Sequence, residues 1–345
     1  IDSNGKVRFS LAYDQDGCVY VTAEGEETKE FYDLGKGWVY AVEKSKTKPT
    51  TIKLGVDLIS FGTDFYYVNE SAVETYTDEG RLYLNDSNIN LTIDLNGYEI
   101  RRNLPEAVED GQIFHIEDGS LTITDTSEEQ NGKITGGNNI GDGGGFYVEG
   151  GNLYLKGGSI CGNKAIEYGG GIYITEAKLV LDGGSISNNS AERGGGGILV
   201  HEDGEVTIEN GDISNNFANW GGGGVRGESN AVVYMKGGSV ADNKSDGHGG
   251  GFYFYDGNAS MYLTGGSILR NKSSAGGGIY WESLGTLVMT GGVITENHTT
   301  TYEHGKTWNS NMGGGVHVHH FDEGIHKIGS DPYIGGTIQI YGNTS

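Results

Sequence analysis

The sequence predicts an all-β fold: a right-handed parallel β-helix with three strands per coil, an inward asparagine ladder and a short N-terminal capping helix. Three observations lead there. Glycine runs end at Gly145, Gly171, Gly197, Gly224, Gly251, Gly278 and Gly315, with gaps of 26, 26, 27, 27, 27 and 37 residues. A fixed period of this kind marks stacked repeats. Each repeat carries period-2 apolar pairs such as Ile172/Ile174 and Leu179/Leu181, then Ile186, with no room for a helix between them. One such repeat cannot bury its apolar side, but stacked repeats can, as parallel sheets around a shared core. Parallel crossovers wind right-handed. Finally, an asparagine recurs at Asn163, Asn189, Asn216, Asn243, Asn271 and Asn297, with Asn343 as a seventh. An inward Asn at a corner can bond the Asn of the next coil, as stacked amides do in cross-β assemblies. The glycine runs mark positive φ or close coil-to-coil approach. None is followed by the Lys-Ser/Thr of a phosphate loop.

In chain order, residues 1–36 read as a small N-terminal β element or lid, with strands at 7–11 and 18–22. The β-helix runs over 37–345. Residues 37–47 read as an amphipathic helix, placed to cover the open end of the solenoid. The first coil begins at 51–54. Loop excursions are expected at 59–80, 104–111 and 298–311, the first holding Phe61, Phe65, Tyr66, Tyr67 and Tyr76. Residues 91–100 form a coil with Asn103 at the ladder position, 121–125 a strand of the next, and 335–340 a last strand.

Sixty-three glycines against 3 prolines, with clear periodicity, indicate a tight solenoid rather than disorder. The net charge of -24 disfavours nucleic acid, anionic membrane surfaces and polyanionic polysaccharides as partners. No apolar run reaches membrane-spanning length, so no membrane insertion is expected. Cys18 and Cys161 are far apart in sequence, and no disulfide is expected. The chain begins at Ile1 with neither Met nor a signal peptide and reads as a processed or excised piece. Abundant Asn, Ser, Thr, Gly and Tyr with few Lys suit a secreted or cell-surface protein, a monomer or part of a larger multidomain surface protein.

The stretch at 93–100 (Ile-Asp-Leu-Asn-Gly-Tyr-Glu-Ile), that at 121–125 (Leu-Thr-Ile-Thr-Asp), Ile-Thr-Gly-Gly at 134–137 and the repeated Gly-Gly-Gly-Ile-Tyr carry a resemblance. Over about residues 37–345 the chain resembles the glycine-rich β-helix region of large cell-surface proteins from gut Gram-positive anaerobes, some of them adhesin-like. It is similar in architecture to the β-helix lacto-N-biosidases, glycosidases that use two aspartates seven apart. The repeat coils here hold no such pair; Asp142 and Glu149 have the spacing with Glu in second place.

In the strand after each glycine run, the first and third residues should face inward and the second and fourth outward. The second positions are Tyr147, Tyr173, Leu199, Arg226, Tyr253, Tyr280 and His317, and the fourth are Glu149, Thr175, His201, Glu228, Tyr255, Glu282 and His319. Asp142, Tyr168, Arg193, Trp220, His248 and Met312 precede the runs and should line one margin; Tyr302, His304 and Trp308 lie in the insertion. Aromatic side chains stack on the apolar faces of sugars while charged groups bond their hydroxyls. The substrate-binding set is therefore Tyr168, Tyr173, Arg193, His201, Trp220, Arg226, His248, Tyr253, Tyr255, Tyr280, Trp308, His317 and His319. Its ligand would be an oligosaccharide or glycoconjugate. Tyrosines packing on their coil neighbours is the rival reading.

Glycoside hydrolysis needs two carboxyl groups. The candidates are Asp246, Glu228 and Glu282, with Asp142 and Glu149 as an alternative pair. Glu228 and Glu282 stand two coils apart, about 9.6 Å by the coil rise, near the upper end of the spacing in inverting enzymes. Asp246, in the loop before His248, could approach Glu228. His317-x-His319 puts two rings on one face without a third ligand, so no metal site is assigned. No cofactor is expected; the acidity suits calcium, although no Asp-rich nonapeptide loop occurs. The function expected first is a glycoside hydrolase on a neutral or host-type glycan. A non-catalytic glycan-binding adhesin comes next, then a polysaccharide lyase with Arg226 or His248 as base, and last a structural stalk.

Overall fold

A computed structural model describes residues 19–32, 34–60, 81–300, 313–319, 326–328, 339–341 and 343. It is a parallel β-solenoid of about 8 turns with one short helix near its N-terminal end. The first strands of successive coils pair in register: Phe146–Val148 on Ile172–Thr175, then Ile198–His201, Val225–Glu228, Phe252–Tyr255, Ile279–Glu282 and Val316–Val318. The long strands Leu82–Asp94 and Phe114–Thr124 supply earlier rungs, their first halves pairing on this face and their second halves on the next. Second and third strands stack likewise, for example Asn152–Leu155 and Ser159–Cys161 on the two ends of Lys178–Ser187. The sequence periodicity missed a fourth face. Two-residue strands, from Asn138–Asn139 to His298–Thr299, form a separate 7-stranded sheet.

Alternation puts Ile172, Ile174, Leu179, Leu181 and Ile186 in one core, each at most 1% exposed. Core rings continue the stack between coils: Phe114 and Phe146 lie 4.6 Å apart at 8°, and Phe254 and Trp281 lie 4.8 Å apart. Gly227 takes an inward position because a Cβ there would come within 2.7 Å of the Phe254 ring.

The asparagine ladder is built as expected from Asn163 to Asn343. In each rung the backbone N–H and the side-chain amide of one Asn donate to Oδ1 of the next, as from Asn189 to Asn216 at 3.0 and 3.1 Å. The same amide also donates to a carbonyl of the preceding coil, Ile160 O for Asn189, at 2.9 Å. Asn103 does not join. It is exposed, and its neighbour Arg102 is fully buried instead, donating to the carbonyls of Asp110 and Gln112. The first rung receives Gly137 N–H on Asn163 Oδ1.

The glycine run and the ladder are one device. The glycine two places before the last of a run turns the chain, with Gly195 at φ 67°. At the last, Gly197, a Cβ would meet Gly224 O at 2.6 Å and the Asn216 amide at 3.0 Å. Only glycine lets the ladder amide sit against the corner.

At the N-terminal end, Val19–Ala23 pairs antiparallel with Lys29–Phe31 and with Thr50–Leu54. Val19 and Val21 belong to the same core as the coils, so this hairpin is part of the solenoid end. The helix spans Leu34–Ser45 rather than 37–47. Its glycines hid its start; a Cβ on Gly37 would strike Val19 at 2.4 Å, so glycine lets helix and hairpin meet. Trp38, Ala41 and Val42 are fully buried, and Trp38 lies 6.3 Å from the Phe114 ring, which makes the helix a cap. Residues 7–11, 61–80 and 301–312, including Trp308, lie outside the described residues, as do Cys18 and most of 321–345. Cys161 is a free thiol.

Each ladder Asn fills donor and acceptor roles in a dry core, so removing one orphans buried groups on both sides. Asn216→Ala should cost about 3 kcal/mol or more, read as a lowered urea midpoint. An unchanged midpoint would remove the ladder from the account of stability.

Candidate functional site

The first face differs from the third. On the third face, outward positions are small and mild: Ser159, Ser185, Asp212, Ser239 and Ser267 in one row. On the first face, one in-register row reads Tyr83, His115, Tyr147, Tyr173, Leu199, Arg226, Tyr253, Tyr280 and His317. Tyr83, His115 and the neighbouring Glu117 escaped the sequence reading because no glycine run precedes their strands. Their signal was present in the same apolar-x-apolar triplets, Leu82-x-Leu84 and Phe114-x-Ile116.

The middle of this row points away from the core yet is covered. Tyr173, Leu199, Arg226, Tyr253 and Tyr280 are between 1% and 8% exposed. The cover is the segment leading into each glycine run, which forms its own bridged line through Tyr168, Gly194, Gly221, His248 and Ala275. Arg193 and Trp220 therefore sit one residue outside the margin that sequence spacing gave them, because their runs have a fourth glycine. That extra glycine has a steric cause. A Cβ on Gly194 would lie 2.6 Å from Arg226 Cδ, and one on Gly221 would lie 2.1 Å from the Tyr253 ring. At His248 the cover is itself a ring, stacked on Tyr280 at 4.4 Å and 11°.

Arg226 is the hub of the covered part. It pairs with Glu228 and lies 5.1 to 5.3 Å from the ring centroids of Tyr168, Tyr253 and Tyr255. Glu282 accepts from the Tyr253 hydroxyl at 3.2 Å and faces His319 at 3.6 Å. Burial lowers the pKa of His248 and of His317. Asp246 is not brought to Glu228; it is exposed beside the short fourth-face strand, 2.7 Å from Lys244. Arg193 pairs with Glu167 at 2.8 Å and lies over Tyr168 and Trp220, and Trp220 is 62% exposed. Tyr255, at 41%, is also exposed.

The open part lies toward the N-terminal coils. A surface pocket of about 430 Å³ is lined by Tyr147, Glu149, Tyr173, Thr175, Glu176, His201 and Glu202. Tyr147 and Tyr173 stack at 5.1 Å and 5°, and the Tyr173 hydroxyl meets His201 Nδ1 at 3.3 Å. Burial, with nearby carboxylates, pushes the Tyr147 phenol up to about 12. Asp142 stands beside this group. Desolvation raises its carboxyl to about 6, aided by Glu167 and opposed by the Tyr168 N–H that donates to it at 3.0 Å. Glu149 Oε1 accepts from His115 Nε2–H at 3.0 Å, in the tautomer that carries the proton there. Of the predicted carboxylates, then, Glu149 lines an open pocket and Asp142 lies near its Tyr173 and His201, whereas Glu228 is paired with Arg226 under cover.

Comparison with protein-family models, with curated proteins and with solved structures returns no match to this chain. Among the described residues no helix is long and apolar enough to cross a membrane.

Two outcomes follow. Gly221→Ala should displace Tyr253, whose ring its Cβ would meet at 2.1 Å, costing about 1–3 kcal/mol as an overpacked site, seen as a lower melting temperature. Asp142 titrates higher folded than unfolded, so the stability tied to its protonated form is present below about pH 4 and lost as pH rises through about 6. Asp142→Asn should abolish that loss and gain about 2 kcal/mol at neutral pH after allowance for solvent screening, measured by urea titration across pH.

Proposed function

We propose that the chain is a secreted or cell-surface carbohydrate-active β-helix protein, a glycoside hydrolase acting on a neutral glycan. Asp142 would be the proton donor and Glu149 the second carboxylate. The observation that carries this is Asp142 itself. A carboxyl held near pH 6 by burial, beside a ring-lined pocket with a further carboxylate, is the electrostatic division of labour that glycosidic cleavage requires. Stacked tyrosines, exposed Trp220 and hydroxyl-accepting Glu149, Glu176 and Glu202 suit a sugar ring with its hydroxyls. The pocket lining has no Lys or Arg, and Arg226 and Arg193 already have acidic partners. A uronate or sulfated polymer would meet repulsion there, which counts against a lyase. A non-catalytic adhesin is the second reading. It would use the same exposed ring of Trp220 and the same pocket carboxylates without turnover, since Tyr253 and Tyr280 are buried against each other. The resemblance to gut Gram-positive surface proteins fits either reading.

A panel of neutral oligosaccharides tests the choice. Hydrolysis should be found, falling as pH rises above about 6, and Asp142→Asn should cut kcat by about 10²–10⁴-fold with binding kept. Trp220→Ala should weaken binding about tenfold, near the worth of one aromatic contact. Binding without turnover by the parent chain would leave the adhesin; neither binding nor turnover would remove the carbohydrate reading.

A further inference from the structure

The first-face row contains a second constellation that glycan chemistry does not require. His115 and Glu117 project from one strand at i and i+2, hence to the same side. Tyr147 is the register partner of His115, so Glu149, two residues on, continues the line of Glu117 in the next coil. One donor atom from each of His115, Glu117 and Glu149 lies within 4.8 Å of the others. Like charges in adjacent rungs repel. Yet among the described residues no lysine or arginine pairs with Glu117 or Glu149, and the one ion-pair partner present is the imidazole.

The cluster is also pre-set. The His115 ring is held between the Tyr83 and Tyr147 rings, both edge-on at 5.1 Å. The Tyr83 hydroxyl hydrogen-bonds Glu117. Around it lie Glu176 and Glu202 on the pocket lining, all of a sign that draws cations.

We propose that His115, Glu117 and Glu149 bind a divalent transition-metal ion of the zinc class. An imidazole nitrogen with two carboxylate oxygens is a donor set for such an ion rather than for calcium, which takes oxygen throughout. Tetrahedral zinc ligands lie about 3.4 Å apart for bonds of about 2.0–2.2 Å. The exposed Glu117 side chain can supply the small contraction needed. Three protein ligands leave a coordination position on the pocket side of Glu149, open to water or to a sugar hydroxyl. A carboxylate has two oxygens, so Glu149 can serve the ion and the pocket together.

The test uses zinc chloride alone, with no glycan, so its outcome is separate from that of the hydrolase reading. Titration calorimetry of the full chain should show one equivalent bound, and zinc should raise its melting temperature. Glu117→Gln and His115→Ala should each weaken binding at least tenfold and abolish the thermal shift, consistent with the cost of losing one ligand. Glu117 is exposed, so its variant should melt like the parent in chelator and keeps the test decisive if His115→Ala misfolds. Absence of zinc binding, equal affinity in Glu117→Gln, or a preference for calcium that survives His115→Ala would each overturn the assignment.

Discussion

Everything in this molecule depends on register between coils, and register depends on an amide that fits only against glycine. The ladder Asn satisfies backbone groups in its own rung and both neighbouring ones, as Asn216 does with Asn189, Asn243 and Ile186. It reaches them because Gly197 has no Cβ. Buried polar groups without partners are costly, so a slip of one residue anywhere would break a continuous chain of bonds. The apolar stack adds the driving force, but a stack of Ile, Leu and Phe alone would tolerate sliding. The amides forbid it.

A fixed register turns sequence periodicity into surface chemistry. Residues 26 or 27 apart become neighbours, and a row from Tyr83 to His317 gathers rings, histidines and carboxylates that the chain holds far apart. That row divides by its cover. Where the approach to the glycine run lies over it, around Arg226 and Tyr253, charges are paired and rings are spent on one another. Near Tyr147 and Glu149 a pocket opens, and close by the desolvation of Asp142 outweighs what Arg193 and His201 offset. The same face thus supplies rigidity at one end and reactivity at the other.

The coil architecture, the ladder and the membership of the first-face row were legible because each is a strict repeat. What was not legible is what breaks it. Asn103 had the right spacing, but Arg102 occupies the buried site beside it. Arg193 and Trp220 were displaced by one because a run of four glycines looks, in sequence, like a run of three with a different neighbour. Asp246 seemed near Glu228 along the chain, but Lys244 holds it on another face. The outward tyrosines were correctly assigned to one side, yet their burial depends on a segment crossing over from the preceding coil, a contact between residues 32 apart that no local pattern announces. The cluster at His115 was missed because its coil lacks the glycine signature that drew attention to the others.

The crossing segment makes the coils non-interchangeable. Gly221 must precede the coil bearing Tyr253, and His248 the coil bearing Tyr280, since an imidazole at the former place would occupy the volume of a phenol ring. Each turn is thus keyed to its successor. A lineage growing by duplication could not lengthen this solenoid by copying an arbitrary unit: the copy would have to alter its lead-in residue to suit the side chain beneath. The order of the repeats is therefore itself a structural specification, carried by a handful of missing methyl groups.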